Sequence, residues 1–226
     1  MVTKYVIIVA GGSGKRMNSS LPKQFIEIEG IPILMHTFFA FQKFSNDLEY
    51  ILVLPQDQMR YWLDLCLDKK FDIPHKLVAG GKERFHSVSN ALEWVEKKSL
   101  VAIHDGVRPL VSIKTIENCF ETALRIGNAV PVIDVNESLR KLEENSSVAL
   151  DRKLYKIVQT PQIFDSTILK EAYKAKYTDY FTDDASVLEY AGHNINLVHG
   201  NTENIKITSP LDLIIAAYYL KGSIAS

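Results

Sequence analysis

The chain has 226 residues, 46% hydrophobic and 23% charged, with a net charge of −1. That length supports one large α/β unit with a substantial core, and a charge so near zero excludes the broad positive field of a general nucleic-acid or membrane binder. No run approaches the ~18 apolar residues of a membrane span, and the N-terminal apolar run enters glycines instead of a signal-cleavage site, so a cytoplasmic protein is expected.

Residues 5–9, Tyr-Val-Ile-Ile-Val, predict a buried strand that ends abruptly in Gly11, Gly12 and Gly14. Bare backbone there can turn its amide N–H groups toward phosphate oxygens, and Lys15, Arg16 and Lys23 follow directly. A phosphate-handling loop is therefore expected. It is not a Walker loop, because Arg16 stands where Ser or Thr is needed and Val9 where the first glycine is needed. It is not the dinucleotide fingerprint either, since Met17 replaces the third glycine.

Further strands are predicted at 50–54, 76–78, 100–104 and 129–133, with a short one near Lys206. Between them Leu34, Phe38 and Phe41 recur at helical spacing, as do Val88, Leu92 and Val95, and then Ile116, Phe120 and Leu124. These stripes are assigned to the core. Gly127 should stop the third helix, and Ser209-Pro210-Leu211-Asp212 should open the last one. Strands alternating with helices imply a mostly parallel sheet covered on both faces. Cys66 and Cys119 read as buried free thiols, and the six histidines show no metal-ligand spacing.

Residues 132–160 break the rhythm. They read as two strands about the polar turn 143–147, too polar for core and too long for an ordinary connection. A lone two-stranded ribbon is marginal in water, so this one must pack on something.

In open α/β sheets, ligands bind at the carboxyl ends of strands. Gly11-Gly12, Gly80-Gly81, His104-Asp105 and Asp134 all follow predicted strands, so they can converge on one rim. Around it stand the cations Lys15, Arg16, Lys23, Arg84, Arg108, Arg152 and Lys206. Glycines, an acid and cations together suit a nucleoside triphosphate with a divalent metal. Attack by a phosphate oxygen on a triphosphate needs no general base, because the nucleophile is already ionised at neutral pH. Alignment and charge stabilisation then suffice, which fits a chain without a Ser-His-Asp or paired-carboxylate set.

The glycine loop with Arg16-Met17 and Pro22-Lys23 resembles the signature of sugar-phosphate nucleotidylyltransferases. Other segments narrow the resemblance to the cytidylyltransferases that act on 2-C-methyl-D-erythritol 4-phosphate or ribitol 5-phosphate. They are Gly80-Gly81-Lys82-Glu83-Arg84 with Ser87, His104-Asp105-Gly106-Val107-Arg108-Pro109, Thr160-Pro161-Gln162, Thr182-Asp183-Asp184-Ala185-Ser186 and Asn204-Ile205-Lys206-Ile207-Thr208. They keep the family's order and span nearly the whole chain.

The resemblance implies a Rossmann-like, three-layer α/β nucleotidyltransferase fold over residues 1–226, with 132–160 as a protruding β-hairpin arm that embraces a second subunit. It implies CTP as co-substrate, a divalent metal such as Mg2+ near Asp105, and a homodimer that binds neither nucleic acid nor membrane. By position, Arg16 and Lys23 match the residues that stabilise the transition state, with Lys15 and Gly14 beside them and Arg84 on the nucleotide side. Ala10, Gly11, Gly12 and Gly81, with the Ser87 hydroxyl, match the cytidine pocket. Arg108 matches a ribose- or substrate-side contact. Lys206 and, from the arm, Arg152 match the pair that positions the acceptor phosphate, with Asp134 and Thr160 lining that pocket. Two departures stand out: Val135 replaces a threonine that would touch the acceptor, leaving Asn136 or Ser138 to substitute, and Lys82 replaces an acid. The erythritol branch fits the Gly81–Ser87 and Thr182–Ser186 segments better than the ribitol branch.

Overall fold

The computed structural model describes residues 2–11 and 21–224. In chain order its strands are β1 (Lys4–Val9), β2 (Glu27–Ile28), β3 (Ile31–Pro32), β4 (Leu48–Leu54), β5 (His75–Ala79), β6 (Leu100–Asp105), β7 (Asn128–Asp134), β8 (Leu139–Leu142), β9 (Ser147–Leu150), β10 (Lys156–Val158), β11 (Gln162–Asp165) and β12 (Leu197–His199). The helices are α1 (Ile33–Gln42), α2 (Met59–Asp68), α3 (Arg84–Leu92), α4 (Ile113–Ile126), α5 (Ser166–Ala172), α6 (Asp184–Tyr190) and α7 (Pro210–Ile224).

Strand β1 lies between β4 and β6 and runs parallel to both, with β5 beyond β4. The chain therefore leaves β1 toward one side of the sheet and later returns to the other. That reversal opens a crevice at the carboxyl end of β1. On the far side β11 pairs antiparallel with β6 and with β7, β10 continues antiparallel along β7, and β12 pairs with β7 in parallel.

Alternation along β1 makes the three layers. Val6 and Ile8 pack toward Leu34 and Phe38 of α1, Trp62 of α2 and Phe120 of α4. Tyr5 and Ile7 pack on the opposite face with Val88 of α3, Leu169 of α5 and Leu188 of α6. A strand buried on both faces needs the continuous β-branched run found at its centre.

The end of α4 and the start of α7 follow the expected local chemistry. Gly127 ends α4 at φ 92°, a left-handed conformation that a side chain would strain. The Asp212 carboxylate accepts the Thr208 and Ser209 N–H groups and starts α7. Among the described residues no helix is long and apolar enough to cross a membrane.

Several expectations need correction. No strand forms near Lys206: Ile207 N–H makes a bond to the Val107 carbonyl at 2.9 Å, and the short late strand is β12 instead. Leu124 is 60% exposed, and Cys119 and Ala123 hold the core positions beside Ile116 and Phe120. At 100° per residue, Leu124 lies one step off that face. Cys66 is only half-buried, unlike Cys119. Burial pushes the two thiols up, to about 11 and about 12, so both stay protonated.

The arm is more divided than two strands. Strands β7 and β10 pair at its root, with Asp134 opposite Lys156, while β8 and β9 form a separate hairpin closed by Glu143 and Ser146. Beyond β10 the chain crosses Gln159-Thr160-Pro161 and continues as β11 between β6 and β7. That strand had no alternating signature of its own, because Pro161 interrupts the apolar run.

Candidate active site

Three strand ends build the crevice. Ala10 N–H bonds to the Val53 carbonyl at 3.0 Å, Gly80 N–H to Leu54 at 2.8 Å and Gly106 N–H to Val9 at 2.9 Å. The turns after β1, β5 and β6 thus begin from one rigid edge. Their mouth is a cavity of about 500 Å³. Of the residues expected at the site, Ala10, Gly11, Lys23, Gly81, Arg84, Ser87, Asp105 and Lys206 line it. Gly12, Gly14, Lys15 and Arg16 lie outside the described residues.

Two glycines are required by close approach. A Cβ on Gly81 would stand 2.4 Å from the His86 Cβ, and one on Gly106 would stand 2.8 Å from the Ala10 Cβ. Gly81 N–H donates to Ser87 Oγ at 3.0 Å, and that hydroxyl donates to the Glu83 carbonyl at 3.1 Å. Ser87 therefore fixes the glycine turn and keeps one lone pair for a ligand.

Lys23 sits on a 3-10 turn, Lys23–Phe25, behind Pro22. Two neighbours hold the turn. Phe25 is buried against Tyr61 and Trp62, with ring centres 5.0 and 6.3 Å apart. Gln24, also fully buried, donates from Nε2 to the Ala10 carbonyl at 2.8 Å and to Gln58 at 2.6 Å. The turn carrying Lys23 is thereby tied to the end of β1.

Asp105 is the electrostatic centre. Lys206 Nζ lies 3.0 Å and Arg108 Nε 3.3 Å from its Oδ2, and Arg84 Nε lies 3.9 Å from its Oδ1. Burial alone would raise this carboxyl; the Lys206, Arg84 and Arg108 charges outweigh it and hold Asp105 well below the usual carboxylate range. Arg84 in turn makes a two-pronged pair with the fully buried Asp184, at 2.8 and 2.6 Å, and Tyr173 donates its hydroxyl to the same carboxylate at 2.6 Å. Burial and the Asp184 charge push Tyr173 well up, so its O–H stays a donor.

The remaining motif residues brace this centre. Gln162 donates to Asp183 at 2.8 Å and accepts the Ala185 N–H at 2.9 Å, which pins the start of α6. Asn204 donates to the Thr160 carbonyl at 2.8 Å, and its own carbonyl takes Arg108 Nη1 at 2.7 Å, fixing the segment that delivers Lys206. Buried His104 is lowered to about 4 by desolvation. Gln24, His104 and Asp184 were missed as site residues. Asp184 and His104 stood inside quoted motifs, but a motif alone does not say which side chain faces inward.

Four expected residues do not line this cavity. Arg108 is tethered to Asp105 and Asn204. Thr160 is buried beneath, bonded to His104 and Asp105. Asp134 is exposed on the arm and pairs with Lys156, and Arg152 donates to the Asn136 carbonyl there. Among the described residues no three His, Cys, Asp or Glu side chains gather as metal ligands.

A mostly parallel sheet with a switch-point crevice, glycine-turn amides and a cation cluster about one aspartate fits the nucleotidyltransferase class. The family model described as 2-C-methyl-D-erythritol 4-phosphate cytidylyltransferase matches residues 4–222. Proteins of that name from Phocaeicola vulgatus and Bacteroides fragilis are 50% and 51% identical, over 95% of this chain and 98% of each relative. Crystal structures of the Francisella tularensis and Thermus thermophilus cytidylyltransferases of that name superpose with a TM-score of 0.77 each, at 30% and 28% identity. They cover 96% and 98% of this chain and 99% and 100% of their own. The chain belongs to the 2-C-methyl-D-erythritol 4-phosphate cytidylyltransferase family.

Proposed function

We propose that the protein transfers CMP from CTP to 2-C-methyl-D-erythritol 4-phosphate, releasing pyrophosphate and forming 4-diphosphocytidyl-2-C-methyl-D-erythritol for isoprenoid synthesis. One observation carries the chemistry: Lys23, Arg84 and Lys206 share a cavity of about 500 Å³ with Asp105 and the Gly80-Gly81 turn. A triphosphate and a phosphomonoester bring roughly six negative charges, and such a site is built to receive them.

The residues divide the work as follows. Backbone groups at Ala10, Gly11 and Gly81, with the remaining Ser87 lone pair, read the cytosine edge. Lys23, joined by Arg16, meets the charge that grows on the α-phosphate as the acceptor oxygen attacks. Lys206 holds the acceptor phosphate in line. Asp105 keeps Lys206 and Arg84 oriented between turnovers.

A divalent metal fits one side of Asp105. Lys206 and Arg108 meet its Oδ2 at 3.0 and 3.3 Å, whereas Arg84 reaches Oδ1 only at 3.9 Å. Mg2+ is commonly held by one carboxylate and substrate phosphates. Bound there, it would supply charge neutralisation between phosphate oxygens.

The working unit in this account is a cytoplasmic homodimer in which the arm crosses to a second copy. Leu142 and Leu154 on the arm are 82% and 79% exposed, and Arg152 lies outside its own chain's cavity. Both facts suit a segment that packs on a partner. The reaction is tested by pyrophosphate release from CTP with 2-C-methyl-D-erythritol 4-phosphate, with ribitol 5-phosphate in parallel. Turnover with the first and little with the second supports the assignment; a preference for ribitol phosphate overturns the acceptor.

A further inference from the structure

One fully buried amide touches two working parts of the cavity. Gln24 follows Lys23 in its 3-10 turn and lines the cavity beside it. Its Nε2 donates to the Ala10 carbonyl at 2.8 Å and to Gln58 Oε1 at 2.6 Å. A carbonyl oxygen only accepts, so the Gln24 amide cannot be turned over, and Gln58 must present its oxygen to it. Both N–H groups of Gln24 are thus committed. Its own oxygen is not: Gln24 Oε1 is buried with no hydrogen-bond partner among the described residues. An orphaned buried acceptor is destabilising, and a methionine of similar length would avoid it. Stability alone gives no reason for an amide here; the two donated bonds do.

Those bonds lead to different places. Ala10 N–H is held by the Val53 carbonyl, so with Gln24 on its own carbonyl both polar groups of Ala10 are fixed. That carbonyl keeps a second lone pair. Ala10 and Ser87 each offer the cavity a fixed acceptor in this way. The 4-position of cytosine carries an amino donor, whereas that of uracil carries an oxygen. Fixed acceptors welcome the first and repel the second. The other bond leads to the 3-10 turn Gln56–Gln58, whose Gln56, with Pro55 before it, also lines the cavity.

We propose that Gln24 is a positioning residue that couples base choice to transfer. Its amide aims the Ala10 carbonyl as an acceptor for the 4-amino group of cytosine, and through its neighbour in the same turn it sets Lys23 at the α-phosphate. Gln58 is the outer anchor that holds the amide in this pose. The kinetic consequence rests on the transfer reaction proposed above; the base preference can be read from nucleotide binding without it.

The test compares CTP with UTP in steady-state kinetics and in equilibrium binding without acceptor. Gln24→Met keeps the length and removes both donors. Its preference for CTP over UTP, in kcat/KM and in Kd alike, should narrow about tenfold, the scale of one hydrogen bond. Its kcat with CTP should fall about tenfold as Lys23 loses its tether, while KM for the polyol phosphate changes less than about threefold. Gln58→Leu should move the same quantities in the same direction by less. Gln58→Glu, which keeps an acceptor for the Gln24 amide, should restore them. A folded Gln24→Met with the wild-type CTP preference or the wild-type kcat, or with a change confined to the acceptor KM, would overturn the proposal. Should Gln24→Met fail to fold, equal behaviour of Gln58→Leu and Gln58→Glu would overturn it. A wild type that binds CTP over UTP but turns over neither would instead overturn the reaction, and the binding ratios would still decide the role of Gln24.

Discussion

Arg84 and Asp184 stand 100 residues apart in sequence, yet two guanidinium nitrogens meet both carboxylate oxygens at 2.8 and 2.6 Å. The pair joins the start of α3, which carries the Gly81 turn, to the start of α6. Arg84 also leans toward Asp105 at 3.9 Å, so the pair fixes one wall of the cavity.

Breaking this pair on one side leaves a buried charge. Asp184→Ala and Arg84→Ala should each destabilise the fold by about 3 kcal/mol, the scale for an orphaned buried partner. The double variant should cost less than the sum by more than ~1 kcal/mol. Denaturant unfolding of the four proteins reads the coupling, and simple additivity would show that the pair does not act as a unit.

Lys23 tests the catalytic assignment. Lys23→Ala should lower kcat by roughly 100-fold, the scale for losing one preorganised charge-stabilising donor. Phe25 and Gln24 anchor the turn independently, so the thermal midpoint should move little. A folded variant with near-normal kcat would remove Lys23 from the reaction.

Much of this site was legible in the sequence, and the failures have physical causes. Strand β1 was readable because a doubly buried strand must be continuously β-branched, and the Gly81 and Gly106 turns because a Cβ there would collide with His86 or Ala10. Gly127 and Asp212 marked helix ends for equally local reasons. Strand β11 escaped because Pro161 breaks its run, and its place between β6 and β7 depends on pairing that no local pattern encodes. Leu124 was misplaced by one helical step, because both it and Ala123 satisfy a loose apolar count. Arg108 and Thr160 were placed at the ligand by resemblance; no local pattern foretold that both also bond to Asp105. Lys206 was legible only as part of a motif, since its meeting with Asp105 spans half the chain.

Stability should depend on pH through His75. Its Nδ1–H donates to the Ile73 carbonyl at 2.8 Å, so Nε2 is the acceptor for the Trp62 indole N–H at 2.9 Å. Burial lowers the His75 pKa in the fold, as it does for His36. The unfolded chain then binds more protons below about 6.5, the ordinary histidine value. This contribution is complete above that pH and is lost as pH falls through the lower folded value. Unfolding free energy should therefore decline below pH ~6.5. His75→Phe should flatten that decline and, by leaving Trp62 N–H unpaired, cost about 1–3 kcal/mol at neutral pH. An unchanged slope in the variant would exclude His75 as a contributor.

The arm can be tested by complementation. Lys23→Ala and Arg152→Ala are prepared separately, both nearly inactive, then unfolded and refolded together. If Arg152 serves the other subunit, a mixed dimer has one site with both lesions and one with neither. Half of randomly paired dimers are mixed, so about a quarter of wild-type activity should return. If Arg152 serves its own chain, every site keeps one lesion and nothing returns.

The central claim, nucleotidyl transfer at the Lys23–Asp105–Lys206 cavity, is most directly tested by phosphorus NMR of the protein with CTP, Mg2+ and 2-C-methyl-D-erythritol 4-phosphate. Attack at the α-phosphate predicts equal amounts of pyrophosphate and a cytidine diphosphate diester, formed at the expense of both substrates. ATP in place of CTP should give a kcat/KM lower by more than ~100-fold, because a purine does not fit a pyrimidine slot read by fixed backbone groups. Appearance of CDP with inorganic phosphate, or comparable turnover of ATP, would contradict it.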